Sequence, residues 1–147
     1  MNAIAIIPAR GGSKGIQDKN IINIAGKPLI AWTIEQAINT SSINKTYVST
    51  NDEKIANVSR QYGAEIIWRP EELCSDYSTS ESAIIHAMDF LKESENISPD
   101  VVVFLQATSP LRKKNDLENA IAAFIDRKAD SLISGSYLED FFNLGKK

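Results

Sequence analysis

Residues 3–20 read AIAIIPARGGSKGIQDKN, and this stretch decides the fold. Ala3–Ile7 is a short apolar run that reads as a first strand. Pro8 is expected to stop it, because proline cannot donate to a β-ladder. A polar loop rich in glycine and lysine follows, and then a helix over about 28–39 whose Ile30, Ile34, Ala37 and Ile38 form an apolar stripe. Strand, polar loop and helix then recur along the chain. TYVST (46–50) is a β-branched strand, and AEIIW (64–68) is a third. VVVFLQ (101–106) has five apolar residues in a row and is expected to be a central parallel strand. SLIS (131–134) is expected to be a fifth strand.

The intervening helices carry their own start signals. Thr50-Asn51-Asp52-Glu53, Ser78-Thr79-Ser80-Glu81 and Asn115-Asp116-Leu117-Glu118 each have the form of a capping box. Gly63 is placed to close the second helix in a left-handed conformation. Helices alternating with strands mean βαβ crossovers, which are right-handed. The expected fold class is therefore α/β, a Rossmann-like three-layer αβα sandwich with a mostly parallel sheet. In such sheets ligands bind beyond the carboxyl ends of the strands, so the loops after the first, third and fourth strands should meet at one edge.

Composition narrows the chemistry. The 147 residues carry 16 Lys+Arg against 19 Asp+Glu, with one His and one Cys. Cys74 alone makes neither an internal disulfide nor a thiolate zinc site. No run approaches the length of a membrane span, and the N-terminus lacks the basic start of a signal peptide, so a cytoplasmic protein is expected. Charge is uneven: within residues 1–30, Arg10, Lys14, Lys19 and Lys27 face the single acid Asp18. A basic front on an acidic body fits a local site for a small anion better than a nucleic-acid surface.

The loop 8–20 carries that site. Gly11, Gly12 and Gly15 let backbone approach a ligand, and N–H groups with Arg and Lys suit a polyphosphate. It is not a Walker A loop, since Gly15 follows Lys14 where Ser or Thr is required. Nor is it a dinucleotide fingerprint, since Arg10 occupies the first glycine position.

These residues resemble a known family. PARGGSKGI (8–16) with Lys19-Asn20, GKPLIAWTIE (26–35), VSTNDEKIA (48–56), YGAEIIWRPEELCSD (62–76) and LQATSPLR (105–112) resemble, in order, the acylneuraminate cytidylyltransferases, or CMP-sialic acid synthetases. The resemblance covers about residues 3–134 and implies the nucleotide-diphospho-sugar transferase type of Rossmann-like fold. The implied reaction joins CTP to a sialic-type nonulosonic acid and releases pyrophosphate, without a covalent enzyme intermediate. Catalysis is then positioning and charge neutralisation around phosphorus.

By the same resemblance Ala9, Arg10, Gly12, Ser13, Lys14, Lys19, Asn20, Arg69 and Ser80 would hold the nucleotide. Arg10 and Lys19 would act on the transferring phosphate and its leaving group. Gln106, Thr108, Ser109 and Arg112 would face the sugar acid, although Arg112 could equally begin the surface cluster Arg112-Lys113-Lys114. A buried strand ending in Gln106 is locally odd unless the amide has a partner, which supports a site there. Gln17 stands where the family often has proline. Cys74 reads as a bystander thiol and His86 as a helix-packing residue.

Mg²⁺ and a homodimer are implied partners, but the family's metal carboxylates lie in a second half of a chain longer than this one. Asp76, Asp100, Asp116, Asp130 and Asp140 match none of those positions, and Glu139 and Asp140 would start a further connection. The chain is expected to be a single nucleotidyltransferase domain over residues 1–147 with the family's C-terminal part missing. Three alternatives stay open: a cytidylyltransferase for another 2-keto sugar acid such as 3-deoxy-octulosonic acid, a CTP-binding fragment without turnover, and a partner-binding role built on the 131–134 edge.

Overall fold

A computed structural model describes residues 1–13, 15–75 and 77–135. Its elements in chain order are β1 (Ala3–Pro8), β2 (Asn23–Ile24), β3 (Lys27–Pro28), α1 (Leu29–Ile38), β4 (Lys45–Thr50), α2 (Glu53–Gln61), β5 (Glu65–Trp68), α3 (Ser80–Ser94), β6 (Val101–Phe104) and α4 (Asp116–Asp126). Short 3₁₀ turns cover Lys19–Ile21 and Glu71–Leu73. The main sheet has the order β5-β4-β1-β6 and all its pairings are parallel. The β2–β3 pair is a separate antiparallel hairpin, which the sequence pattern did not announce. None of the helices among the described residues is long and apolar enough to cross a membrane.

The period-two alternation of β1 makes the three layers. Ala5 and Ile7 point to one face and pack with Ile30, Ile34 and Ala37 of α1, Ile55 of α2 and Ile121 of α4. Ile4 and Ile6 point to the other face and pack with Ala87 and Leu91 of α3, beside Tyr47 and Ile67. Each fully buried isoleucine contributes about 1.5–3 kcal/mol.

Several local expectations are corrected. β1 and β4, not the 101–106 run, are buried on both faces, because helices cover both sides of the sheet there: Ala5, Ile7 and Val48 lie in one core and Ile4, Ile6 and Tyr47 in the other. Among the described residues β6 pairs only with β1, so Val101–Val103 are half-buried and Phe104 is exposed. Pro8 is the last residue of β1 rather than its stop, and Ala9 N–H resumes the pairing by donating to Ser49 O at 2.9 Å. The 131–134 run forms no strand. Nothing described pairs with it, and its Leu132 and Ile133 are exposed.

Two caps are displaced. The cap of α2 is Asp52, which accepts from Ile55 N–H, while Thr50 Oγ1 accepts from Asp52 N–H. The cap of α3 is Thr79, which accepts from Ser82 N–H. Asn115 sits at the start of α4 in a left-handed conformation and makes no side-chain cap. Instead the Asp116 carboxylate accepts from Lys113 N–H at 2.7 Å. Gly63 takes the expected left-handed conformation, φ +92°.

Tyr47 gives the fold a testable pH signature. Burial in the second core, with Glu65 and Glu95 nearby, pushes its phenol up to about 12. Tyrosine in an unfolded chain ionises near 10. Its contribution to stability is thus complete below pH 10 and is lost as pH rises through about 12. The unfolding midpoint in urea should fall across that interval, and Tyr47→Phe should remove most of the fall.

Candidate functional site

The strand order reverses between β1 and β6: from β1 the chain crosses to β4 and β5, then returns to the other side of β1. Loops leaving two such strands diverge and leave a crevice, the usual ligand position in an open parallel sheet. A cleft of about 250 Å³ lies there. One wall is the loop after β1, through Ala9, Arg10, Ser13, Lys19 and Asn20. The opposite wall is the end of β6 and its loop, through Phe104, Gln106 and Thr108. Ser78, Thr79 and Ser80, at the N-terminus of α3, complete it. The cleft lining holds cations, hydroxyls and amides, and no acidic side chain among the described residues. The positive end of the 15-residue helix α3 adds to this, so the cleft is built for an anion.

The first wall is tied down at Arg10, Gly11 and Asn20. Asn20 is buried and donates from Nδ2 to Arg10 O at 3.2 Å. Arg10 Nη1 donates to Cys74 O at 3.1 Å, which links the loops after β1 and β5. Gly11 N–H donates to Asn51 Oδ1 at 2.9 Å, and Asn51 Nδ2 in turn donates to Glu71. Gly11 must be glycine: a Cβ there would lie 2.8 Å from an Asp52 carboxylate oxygen and 3.0 Å from Asp52 Cβ. Asp52 cannot step aside cheaply because it caps α2. Gly11→Ala should therefore displace the Arg10 backbone and weaken anion binding about tenfold, for a loss of about 1.4 kcal/mol. Titration of the variant with CTP checks this.

Of the residues expected from sequence, Ala9, Arg10, Ser13, Lys19, Asn20, Ser80, Gln106 and Thr108 are brought together around this cleft. Lys14 lies outside the described residues, as do Asp76, Glu139 and Asp140. Gly12, with φ +68°, lines a second, wider hollow of about 510 Å³ beside Asn51, Asp52 and Glu71. Ser109 and Arg112 do not line the cleft; Arg112 turns back to α1.

Arg69 also lies outside the cleft lining. It is buried and donates from Nε to Ser49 Oγ at 3.1 Å and from Nη2 to Ser49 O at 2.6 Å. Burial pulls its guanidinium down, with Cys74 opposing and Arg10 adding to the fall. Burial likewise pushes the Cys74 thiol up, against the pull of Arg69, so a neutral thiol is favoured there. His86 lies on α3 and lines neither hollow, and its Nδ1 is buried without a partner among the described residues.

Phe104 and Thr79 were missed by sequence reasoning. The signal for Phe104 was available: it stands two residues before Gln106, and side chains two apart in a strand share a face. The donor set does not fit a hard cation, which takes carboxylate and carbonyl oxygens. Among the described residues no three His, Cys, Asp or Glu converge.

The cytidylyltransferase family model matches residues 4–142. This chain belongs to that family. Among its relatives is the pseudaminic acid cytidylyltransferase of Campylobacter jejuni, 41% identical over 140 residues, 95% of this chain and 60% of that protein. The CMP-N,N'-diacetyllegionaminic acid synthase of Legionella pneumophila is 41% identical over 122 residues, covering 82% of this chain and 52% of that protein. The N-acylneuraminate cytidylyltransferase of Escherichia coli is 38% identical over 121 residues, covering 82% and 28%. The solved structure of CMP:2-keto-3-deoxy-manno-octonic acid synthetase complexed with CTP aligns with a TM-score of 0.73 at 23% identity. It covers 88% of this chain and 49% of that one, and it supports the fold. The cytidylyltransferase chain described here thus spans 60% or less of these relatives' own lengths.

Proposed function

We propose that the chain binds CTP in the β1–β6 cleft and serves cytidylyl transfer to a sialic-type nonulosonic acid. The observation that carries this reading is the cationic cleft, lined among the described residues by no carboxylate, at the strand-order reversal of a cytidylyltransferase-family fold. The acceptor's anomeric hydroxyl attacks the α-phosphate of CTP in line, a P–O bond to the acceptor forms, and the bond to pyrophosphate breaks. Arg10 offers a planar fork to phosphate oxygens, and Lys19 supplies a point charge whose value rises as pyrophosphate leaves. Ser13, Asn20 and Ser80 donate to the nucleotide, with Lys14 of the same loop assigned to the triphosphate. Ala9 and Gly12 contribute backbone. Gln106 and Thr108, on the other wall, take the acceptor. Arg69, Ser109 and Arg112 support the cleft from behind.

Magnesium and a homodimer belong to this reading. The described residues supply no ligand set for the ion.

The test has two parts. Calorimetric titration with CTP, with and without Mg²⁺, measures the nucleotide site; absence of binding ends the proposal. Pyrophosphate release is then measured with pseudaminic, legionaminic, N-acetylneuraminic and 3-deoxy-octulosonic acids in turn, which selects the acceptor. A second reading is CTP binding without turnover. CTP binding with no pyrophosphate from any acid selects it.

A further inference from the structure

The loop after β6 carries Gln106 and Thr108 into the cleft, and one backbone bond closes a turn within it, Ser109 N–H donating to Gln106 O at 3.2 Å. Its carbonyls are further captured by side chains, from α1 and from Arg112 later in the same loop. Gln106 O accepts from Thr33 Oγ1 at 3.3 Å and from Arg112 Nη2 at 3.4 Å. Ser109 O accepts from Arg112 Nη1 at 2.7 Å. Pro110 O accepts from Gln36 Nε2 at 2.8 Å. Arg112 Nη1 also donates to Gln36 Oε1 at 3.0 Å and to Thr33 Oγ1 at 3.3 Å, so the three side chains form one connected network. Thr33 and Gln36 are one helical turn apart on α1, and Thr33 is fully buried.

We propose that Arg112, acting with Thr33 and Gln36, is a positioning residue that fixes the acceptor wall of the cleft against α1. The inference rests on the functional reading above and assigns Arg112 a task other than touching substrate. A guanidinium suits it because a rigid fork serves several acceptors at once, which a lysine ammonium at the end of a flexible stem does not. Partial burial lowers the guanidinium's affinity for its proton, with the Asp116 carboxylate opposing, in keeping with a half-buried side chain packed against α1. Helix α1 is also the backing of the other wall: Ile21, in the turn after Lys19 and Asn20, packs on the core that holds Ile30 and Ile34. One helix therefore sets the distance between the two walls, and the Arg112 network is its grip on the second.

The experiment compares Arg112→Lys, Thr33→Val and Gln36→Leu with the unaltered full chain. CTP affinity is read by titration. Acceptor affinity is read as the KM for pseudaminic acid in pyrophosphate release, or as its Kd on the CDP-loaded chain where turnover is absent. The expected result is an acceptor constant raised about tenfold in Arg112→Lys and Thr33→Val, with CTP affinity within twofold of the parent. Amide hydrogen exchange should accelerate over 106–110 and stay unchanged over 9–13. Equal loss on both substrates, or an unchanged acceptor constant in folded Arg112→Lys and Thr33→Val, overturns the proposal. Thr33→Val is nearly isosteric, so it keeps the test valid should an Arg112 variant fold poorly. Failure of the parent chain to bind CTP strikes the functional reading itself and is distinguishable from either outcome.

Discussion

Arg10→Ala should raise the dissociation constant for CTP about a hundredfold. Arg10 lines the anion cleft and stands where its fork can meet phosphate oxygens. Hydrogen bonds to a charged partner are worth about 1.5–3 kcal/mol each, so two of them account for roughly two powers of ten. The loss should be partly restored by Arg10→Lys, which returns the charge without the fork, and the deficit should narrow at high salt. Arg10 also donates to Cys74 O, so a modest fall in stability, about 1 kcal/mol, should accompany the loss. A CTP constant within threefold of the parent, in a variant that melts normally, would place the triphosphate elsewhere.

Arg69→Leu should act in the opposite manner, with a large loss of stability and a smaller one of binding. The Arg69 side chain is buried and ties the end of β5 to Ser49 of β4 through both Nε and Nη2. Leucine fills part of the volume but removes both donors. The Ser49 carbonyl keeps Ala9 N–H, whereas Ser49 Oγ loses its donor in a fully buried place. The expected cost is about 2–4 kcal/mol, which in a chain of this size lowers the melting temperature by roughly 10 °C. Calorimetry checks the first number and CTP titration the second. Normal melting with CTP binding abolished would return Arg69 to the nucleotide itself.

These two arginines look alike in the sequence, one in each of two polar loops after a strand. What separates them is the direction in which each side chain leaves the backbone. Arg10 reaches the cleft from a loop held open by Asn51 and Asn20, while Arg69 turns back under β4. Arg112 is the third case. Proximity to Lys113 and Lys114 suggested either a ligand contact or a solvated cluster, and the helix α1 that captures it lies more than seventy residues away in the chain.

Capping shows the same division at smaller scale. Hydroxyl and acidic residues at 50–53 and 78–81 announced helix starts, and both helices are there. The capping residue shifted from Thr50 to Asp52 and from Ser78 to Thr79 because the preceding segments end where sheet pairing and loop contacts leave them. The 101–106 run had the composition of a doubly covered strand. Which faces and edges are covered depends on neighbours, and only the β1 side of β6 has one among the described residues.

By itself, then, the sequence determined the layers and pointed to the loop after β1 as the candidate site. The apolar run Ala3–Ile7, helical stripes between strands and glycine with cations after β1 are local properties, set by side-chain type and spacing. The tertiary structure decided which polar side chains face the cleft and which hold it in place. That choice rests on hydrogen-bond geometry between residues distant in the chain, such as Arg112 with Thr33 and Gly11 with Asn51, which no local pattern encodes.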